Sequence, residues 1–113
     1  MIRRGEVWWA ALAEPAGSEP GYRRPVVVLQ CDEFNESRIR TVVVVAVTTN
    51  LRLAAAPGNV LCRKAETGLP KESVINVSQI LTINKIRLTH RVGRLPAKLL
   101  ETVEAGLRSV LGL

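Results

Sequence analysis

The segment Thr41 to Thr49, TVVVVAVTT, constrains the fold more than any other part of this 113-residue chain. β-branched residues lose side-chain freedom in a helix, whereas they pack well on a pleated strand. Four consecutive valines leave no polar face, so this strand is expected to be covered on both sides. The chain must therefore form a sheet in which other apolar residues pack against both faces of this strand.

Short strands and one helix are predicted around this segment. The strand-like segments are Glu6–Leu12, Pro25–Gln30, Asn59–Arg63, Ser73–Ile80 and Leu81–Ile86. From Pro96 the apolar residues follow a helical stripe, with a stop at Gly112, and Gly106 inside the helix is expected to mark close packing. The pattern predicts a mainly β, α+β fold in one domain, 1–113: a bent antiparallel barrel with a C-terminal amphipathic helix.

The chain is strongly basic, with 16 Lys and Arg against 10 Asp and Glu, and twelve of the bases are arginine. Residues 37–65 and 73–100 hold ten of these bases and no acid. Arginine presents paired donors to phosphate oxygens, so such a surface suits nucleic acid or an acidic protein partner. The N-terminus, MIRRGEVWW, has no apolar targeting segment and no apolar run is long enough to cross a bilayer, so a cytoplasmic location is expected.

The histidine and cysteine content excludes several kinds of site. The chain has one histidine, His90, and two cysteines, Cys31 and Cys62, without CxxC spacing. A structural zinc site, a disulfide framework and an active site built on two histidines of one chain are therefore not expected. Both cysteines are predicted to be small buried side chains.

The most informative candidate site is the segment from Gly17 to Pro25, GSEPGYRRP, between the first two predicted strands. It combines a carboxylate, a hydroxyl, an aromatic ring and two guanidinium groups. Pro25 favours an extended conformation for Arg24, which would then project from the end of a rigid strand. A fixed arginine beside a loop suits phosphate binding, although a solvated surface loop with an Arg–Glu pair would look similar.

Polar side chains on other predicted strands add further candidates. Thr48 and Thr49 end the valine strand, and one of the two hydroxyls must point inward or toward a cleft. Trp8 and Trp9 are adjacent, so one is expected in the core while the other offers a stacking surface. The segment from Ser73 to Gln79 places Ser73, Asn76, Ser78 and Gln79 among apolar residues, as expected of a wet sheet face or of a strand that lines a site.

In order and spacing, these segments resemble the MazF/PemK family of toxin endoribonucleases. The segments that carry the resemblance are RRGEVWWAAL, GSEPGYRRPVVVLQCD, TVVVVAVTTNL, PGNV, TGLPKESVINVSQI and LTINK. Together they cover the chain from Arg4 to the terminal helix. The resemblance implies an SH3-like barrel that forms a homodimer, a toxin of a toxin–antitoxin pair, and an antitoxin of the MazE type whose acidic tail blocks the RNA groove.

The resemblance also implies an activity and a set of site residues. The family cuts single-stranded RNA at short sequences without a metal or cofactor, and by position its catalytic residues match Arg24 and Thr48. Glu19 is our candidate general base, because an arginine pKa above about 12 makes Arg24 a poor one. The residues expected to contact RNA are Ser18, Tyr22, Arg23, Asn50, Ser73, Ser78 and Gln79. Some relatives carry an acidic residue near the position of Ser78. This chain has none there, so an aspartate-assisted mechanism is not expected.

Two other functions remain open at this point. A gyrase-poisoning toxin resembling CcdB would share the barrel, but those proteins depend on a tryptophan near the end of the C-terminal helix, and this helix ends SVLGL. A plain RNA-binding module would bind RNA and leave it intact. The presence of Arg24 and Thr48 favours the nuclease.

Overall fold

The structure is a computed structural model that describes residues 1–12, 17 and 22–113. The strands are β1 (Glu6–Ala11), β2 (Arg23–Val28), β3 (Thr41–Thr48), β4 (Val60–Cys62), β5 (Ser73–Asn84) and β6 (Leu88–Arg94). The α-helices are α1 (Asp32–Glu36), α2 (Lys64–Thr67) and α3 (Ala97–Leu111), and 3₁₀ helices lie at Leu51–Ala55 and Lys85–Arg87. The strands form one antiparallel sheet in the order β4-β5-β3-β2-β1-β6. This curled half-barrel with a C-terminal helix confirms the predicted fold class.

The valine strand β3 is covered on both faces, as its sequence predicts. Val45 and Val47 belong to the larger apolar cluster, together with Val103 of α3. Val42 and Val44 belong to a second cluster on the opposite face. All four side chains are fully buried. Removing this apolar surface from water on both sides is the main stabilising contribution that the strand can make.

Helix α3 lies over the end of the sheet that contains β4 and β5. Gly112, in the left-handed conformation with φ 71°, ends the helix as predicted. The prediction for Gly106 is confirmed, because a Cβ there would overlap the carbonyl oxygen of Gly58 and lie 3.1 Å from Cγ1 of Val77. The helix therefore packs directly against backbone at the end of the connection between β3 and β4.

Apart from strands that end one or two residues earlier than predicted, the sequence-based assignment of strands differs from the structure in three places. The segments predicted as two strands, Ser73–Ile80 and Leu81–Ile86, form one continuous strand, β5. Strand β6 was not predicted, because LTHRVGR buries only Leu88 and has no regular apolar alternation. Strand β2 begins at Arg23 rather than at Pro25. In each case pairing with a neighbouring strand decides the outcome, and this information is not local.

The two cysteines lie in different environments. Cys62 is fully buried in the larger cluster, and burial raises the pKa of its thiol to about 11. Cys31 is exposed, because it immediately precedes α1 at the surface. The prediction of two buried cysteines is therefore correct for Cys62 and wrong for Cys31.

Among the described residues, no helix combines the length and the apolar composition that crossing a membrane requires.

Candidate active site

A cleft of about 480 Å³ opens where four neighbouring strands of the sheet begin or end. The end of β1, the start of β2, the end of β3 and the start of β5 lie side by side there, because neighbouring antiparallel strands run in opposite directions. The described residues that line it are Trp9, Tyr22, Arg23, Arg24, Pro25, Val47, Thr49, Leu69, Pro70, Lys71 and Ser73. Its floor is mostly apolar, while Arg23, Arg24 and Lys71 supply positive charge. Within the described part of the chain no carboxylate lines it, so the cleft favours an anionic ligand.

Arg23 is held in place by an aromatic ring. The carbon at the centre of its guanidinium lies 4.1 Å from the ring centroid of Trp9. The ring attracts the cation electrostatically and fixes the plane in which its N–H donors lie. Trp9 packs against the larger apolar cluster and Trp8 against the second cluster, so the two adjacent tryptophans face opposite sides as predicted.

Arg24 occupies the rim of the same cleft, and its side chain is exposed. Among the described residues its guanidinium has no ion-pair partner. The pairing of Val26 with Ala46 fixes the register of β2 against β3, and continuing it by two residues brings Arg24 opposite Thr48. The two predicted catalytic residues therefore come from facing ends of neighbouring strands.

Thr48 and Asn50 form a tight turn at the end of β3. The Thr48 hydroxyl accepts a hydrogen bond from the Asn50 backbone N–H at 3.1 Å, which leaves the hydroxyl proton available. The Asn50 side chain accepts from the Arg52 N–H at 3.3 Å and caps the following 3₁₀ helix. Thr49, rather than Thr48, is the threonine that lines the cleft itself.

The predicted RNA-contacting residues on β5 occupy two different positions. Ser73 is buried in the cleft wall, where its hydroxyl donates to the Lys71 carbonyl at 2.9 Å. Ser78 and Gln79 lie in an irregular part of β5, since Val45 pairs with Ile80 whereas Val47 pairs with Ile75. The exposed Ser78 hydroxyl donates to the Asn76 side chain at 3.1 Å. The structure thus places Ser73 in the cleft, with Ser78 and Gln79 farther along the strand, outside its described lining.

The loop between β1 and β2 contributes Tyr22 to the cleft. Tyr22 has φ 55°, the left-handed conformation that is uncommon for a residue with a side chain, and its ring is largely exposed. Its carbonyl accepts a hydrogen bond from the Leu12 N–H at 2.6 Å, which closes the loop. Ser18 and Glu19, predicted as an RNA contact and as the general base, lie outside the described residues.

Leu69, Pro70 and Lys71 line the cleft but were not predicted as site residues. For Lys71, a cation just before a strand that lines a site could have indicated a phosphate contact. Leu69, buried beside it, was not considered. No group of three or more His, Cys, Asp or Glu side chains that could hold a metal ion is found among the described residues.

The bent antiparallel sheet, its C-terminal helix and the cleft define a small, mainly β protein with a positively charged cleft where the strands end. The chain belongs to the family of PemK-like, MazF-like toxins of type II toxin–antitoxin systems, whose sequence profile matches residues 3–111. It is 50% identical over 113 residues to endoribonuclease MazF6 of Mycobacterium tuberculosis, a match that covers 100% of this chain and 99% of that protein. It is 39% identical to endoribonuclease MazF of Staphylococcus saprophyticus, over 100% of this chain and 93% of that protein.

Solved structures share the fold. A mycobacterial endoribonuclease in complex with its cognate antitoxin superposes with a TM-score of 0.82 at 22% identity, covering 100% of this chain and 97% of that one. MazF from Deinococcus radiodurans gives a TM-score of 0.82 at 24% identity, covering 99% of this chain and 97% of that one. With the full-length relatives, the family match identifies the chain as an endoribonuclease toxin. The predicted resemblance is confirmed, and the gyrase-poisoning and binding-only alternatives are not supported.

Proposed function

We propose that this endoribonuclease toxin cuts single-stranded RNA without a metal ion, with Arg24 as the residue that stabilises the reacting phosphate. The observation that carries the proposal is the position of Arg24: an exposed guanidinium at the rim of a basic cleft, without an ion-pair partner among the described residues. In the reaction the ribose 2′-OH attacks the adjacent phosphorus and the bond to the 5′ oxygen breaks. The products are a 2′,3′-cyclic phosphate and a 5′-hydroxyl.

Arg24 and Thr48 are suited to hold the charge that develops during this step. The phosphorane carries additional negative charge on its non-bridging oxygens, and a fixed guanidinium can donate two hydrogen bonds to them. Because the Thr48 hydroxyl accepts from the Asn50 N–H, its own proton can be donated to another of these oxygens. The Thr48 hydroxyl is oriented by this hydrogen bond and the backbone of Arg24 is held in β2, so little backbone reorganisation is needed as the charge forms.

Proton transfer requires a different residue. An arginine has a pKa above about 12, so it is a poor base near neutral pH. We propose Glu19, from the segment that connects β1 and β2 in the sequence, as the group that removes the 2′-OH proton. Replacing Glu19 by Gln should lower the cleavage rate and remove the acidic limb of its pH profile. An unchanged profile would assign the base elsewhere.

The remaining cleft residues are proposed to bind the RNA chain around the scissile phosphate. Arg23, oriented by Trp9, and Lys71 would contact neighbouring phosphates. Tyr22 has an exposed ring on which a base can stack. Ser18, Asn50, Ser73, Ser78 and Gln79 complete the proposed RNA contacts. The 3₁₀ connection after Asn50 is tied to β5 through Asn59, so it is placed to influence which sequence is recognised.

Partners follow from the family and from the charge of the cleft. We propose that the 113 residues act as one domain in a homodimer, and that an antitoxin of the MazE type blocks the cleft with an acidic tail. MazE–MazF complexes from Deinococcus radiodurans are among the solved structures with this fold. RNA cleavage and antitoxin control would both take place in the cytoplasm.

The test is cleavage of a short RNA in the presence of EDTA, comparing the wild type with Arg24→Ala, Arg24→Lys and Arg108→Ala. Arg108 is exposed on α3, so its variant makes the same charge change away from the cleft. Arg24→Ala should lose about 10²-fold or more in rate, because a preorganised donor to the transition state is removed. Arg24→Lys should recover only part of this loss, whereas Arg108→Ala should cleave normally. Undiminished cleavage by Arg24→Ala, loss of wild-type activity in EDTA, or 5′-phosphate products would each reject the corresponding part of the proposal.

A further inference from the structure

Two short segments of the same pattern lie side by side at the end of the sheet opposite the cleft. Residues 38–40 read Arg-Ile-Arg, and residues 85–87 read Lys-Ile-Arg. The first segment precedes β3 and the second follows β5, where Thr41 pairs with Asn84. The backbone N–H of Lys85 donates to the Arg40 carbonyl at 2.8 Å, which extends this pairing beyond the strands. We call the two segments together the basic–isoleucine corner.

Lys85 fixes the distance between the two segments. Its ammonium group donates to the carbonyl oxygens of Phe34, Asn35 and Ser37, at 3.5, 2.9 and 3.2 Å. These carbonyls lie at or just after the end of α1, where backbone carbonyl oxygens attract a cation. The ammonium group is therefore used inside the protein, and it ties the α1–β3 connection to the β5–β6 connection. The corner is held in shape before any partner arrives.

A groove of about 590 Å³ lies between the two segments, lined by Ser37, Ile39, Arg40, Asn84, Lys85 and Ile86. Ile86 is 87% exposed and Ile39 is 41% exposed. Isolated exposed isoleucines are ordinary, but two of them on the walls of one groove form an apolar patch that a partner could cover. The groove thus offers an apolar slot on an otherwise charged surface.

The charged side chains of the two segments have one sign, and of the acids on the adjoining helix α1, Asp32 and Glu36 pair with Arg3. Arg38, Arg40 and Arg87 are exposed, and none forms an ion pair with a described residue. The acid-free stretches 37–65 and 73–100 contain both segments of the corner. A partner that brings carboxylates would therefore meet three free guanidiniums and no acid from either stretch.

We propose that the basic–isoleucine corner docks an acidic, amphipathic polypeptide segment of a partner protein. A large apolar side chain of that segment would enter the groove between Ile39 and Ile86, while its carboxylates pair with the three arginines. The aliphatic tips of Ile39 and Ile86 favour a polypeptide over RNA, because a peptide can place an apolar side chain in the groove, whereas an RNA chain presents mainly polar and flat aromatic groups. Strand β3 separates the corner from the cleft by roughly 24 Å, at about 3.4 Å per residue over its length, so both can be occupied together. This docking does not depend on the cleavage mechanism proposed above.

The test is a titration of the ¹⁵N-labelled full chain with a short synthetic peptide in which aspartate alternates with leucine. Amide shifts should change most at residues 37–40 and 84–87. The double variant Ile39→Ser/Ile86→Ser should bind the peptide about tenfold more weakly or worse, because two apolar contacts are lost. Leu113→Ser removes an equally exposed apolar side chain outside the corner and should leave binding unchanged. Lys85→Met should also weaken binding while leaving the isoleucines and arginines in place.

Four results would overturn the proposal. The first is equal binding of a peptide in which serine replaces leucine, since exposed ion pairs alone would then account for it. The second is a set of shifts confined to the cleft. The third is a stronger response of the corner amides to an oligouridine than to the peptide, which would make the corner a nucleic-acid surface. The fourth is conversion of a dimer to a monomer by the Ile39→Ser/Ile86→Ser variant in sedimentation, which would assign the groove to a second copy of this chain.

Discussion

Replacement of Gly106 by alanine tests how helix α3 is fitted to the rest of the protein. Gly106 is buried, and the backbone of Gly58 takes the space that a side chain would need. An added Cβ would overlap the Gly58 carbonyl oxygen and approach Cγ1 of Val77 to 3.1 Å. A backbone carbonyl cannot rotate away as a flexible side chain can. Either α3 or the connection that ends at Gly58 must therefore move.

Two opposing effects determine the size of the change. Overpacking of a tight contact costs typically about 1–3 kcal/mol, and a clash with backbone belongs to the upper part of that range. Alanine gains about 1 kcal/mol over glycine as a helix former. We therefore expect Gly106→Ala to lower the free energy of unfolding by about 1–2 kcal/mol, although alanine favours the helix.

Urea unfolding followed by circular dichroism measures this loss. Ser109→Ala, at an exposed position of the same helix, is the matched control and should stabilise the protein by a few tenths of a kcal/mol. Movement of the connection at Gly58 should also alter the distribution of RNA cleavage sites, if residues 51–58 take part in recognition. A Gly106→Ala protein as stable as the wild type, or more so, would refute the packing argument.

Three further predictions concern groups away from the cleft. Glu6 is buried and accepts hydrogen bonds from the Arg3 N–H, Trp8 Nε1 and Arg91 Nε at 2.8, 3.1 and 2.6 Å. Glu6→Gln should therefore lower the free energy of unfolding in urea by about 1.5–3 kcal/mol. A change below about 0.5 kcal/mol, as expected for an exposed site, would contradict this. Cys31 should be alkylated in the native protein at about pH 8 while Cys62 is protected, because Cys62 is buried with a pKa of about 11; mass spectrometry showing equal labelling would disprove the assignment. The backbone N–H of Arg4, with the Asn35 side chain, holds the pKa of Asp32 below its ordinary value of 3.8, so its stabilisation is present above that pH and is lost as the pH falls through the lowered value. Thermal melts of Asp32→Asn should accordingly vary less with pH in the acid range than those of the wild type, and identical slopes would count against this role.

Much of the fold can be predicted from local sequence. The valines of β3 dictate a strand buried on both faces, because no polar side chain interrupts them. Trp8 and Trp9 must face opposite sides of β1, since side chains alternate along a strand. The stripe that ends at Gly112 defines α3, and the glycine inside it already indicates close packing. The basic composition and the position of Arg24 before Pro25 point to an anionic ligand.

What the sequence does not determine is which separate segments come together. Strand register alone brings Arg24 opposite Thr48, and it makes one strand of a segment whose local pattern predicts two. β6 forms because β1 offers it an edge to pair with, although its own residues show little strand character. The stacking of Arg23 on Trp9 likewise depends on contact between strands that the chain order does not specify.

The sequence by itself determined the kind of secondary structure at most positions, the basic character and the family to which the chain belongs. Only the tertiary structure decided the composition of the cleft, the contact of Gly106 with Gly58 and the pairing of the two segments that form the basic–isoleucine corner. The physical reason is that side-chain periodicity and charge are local properties of the chain. A site is instead made by long-range pairing and packing, whose partners are selected by the free energy of the whole fold.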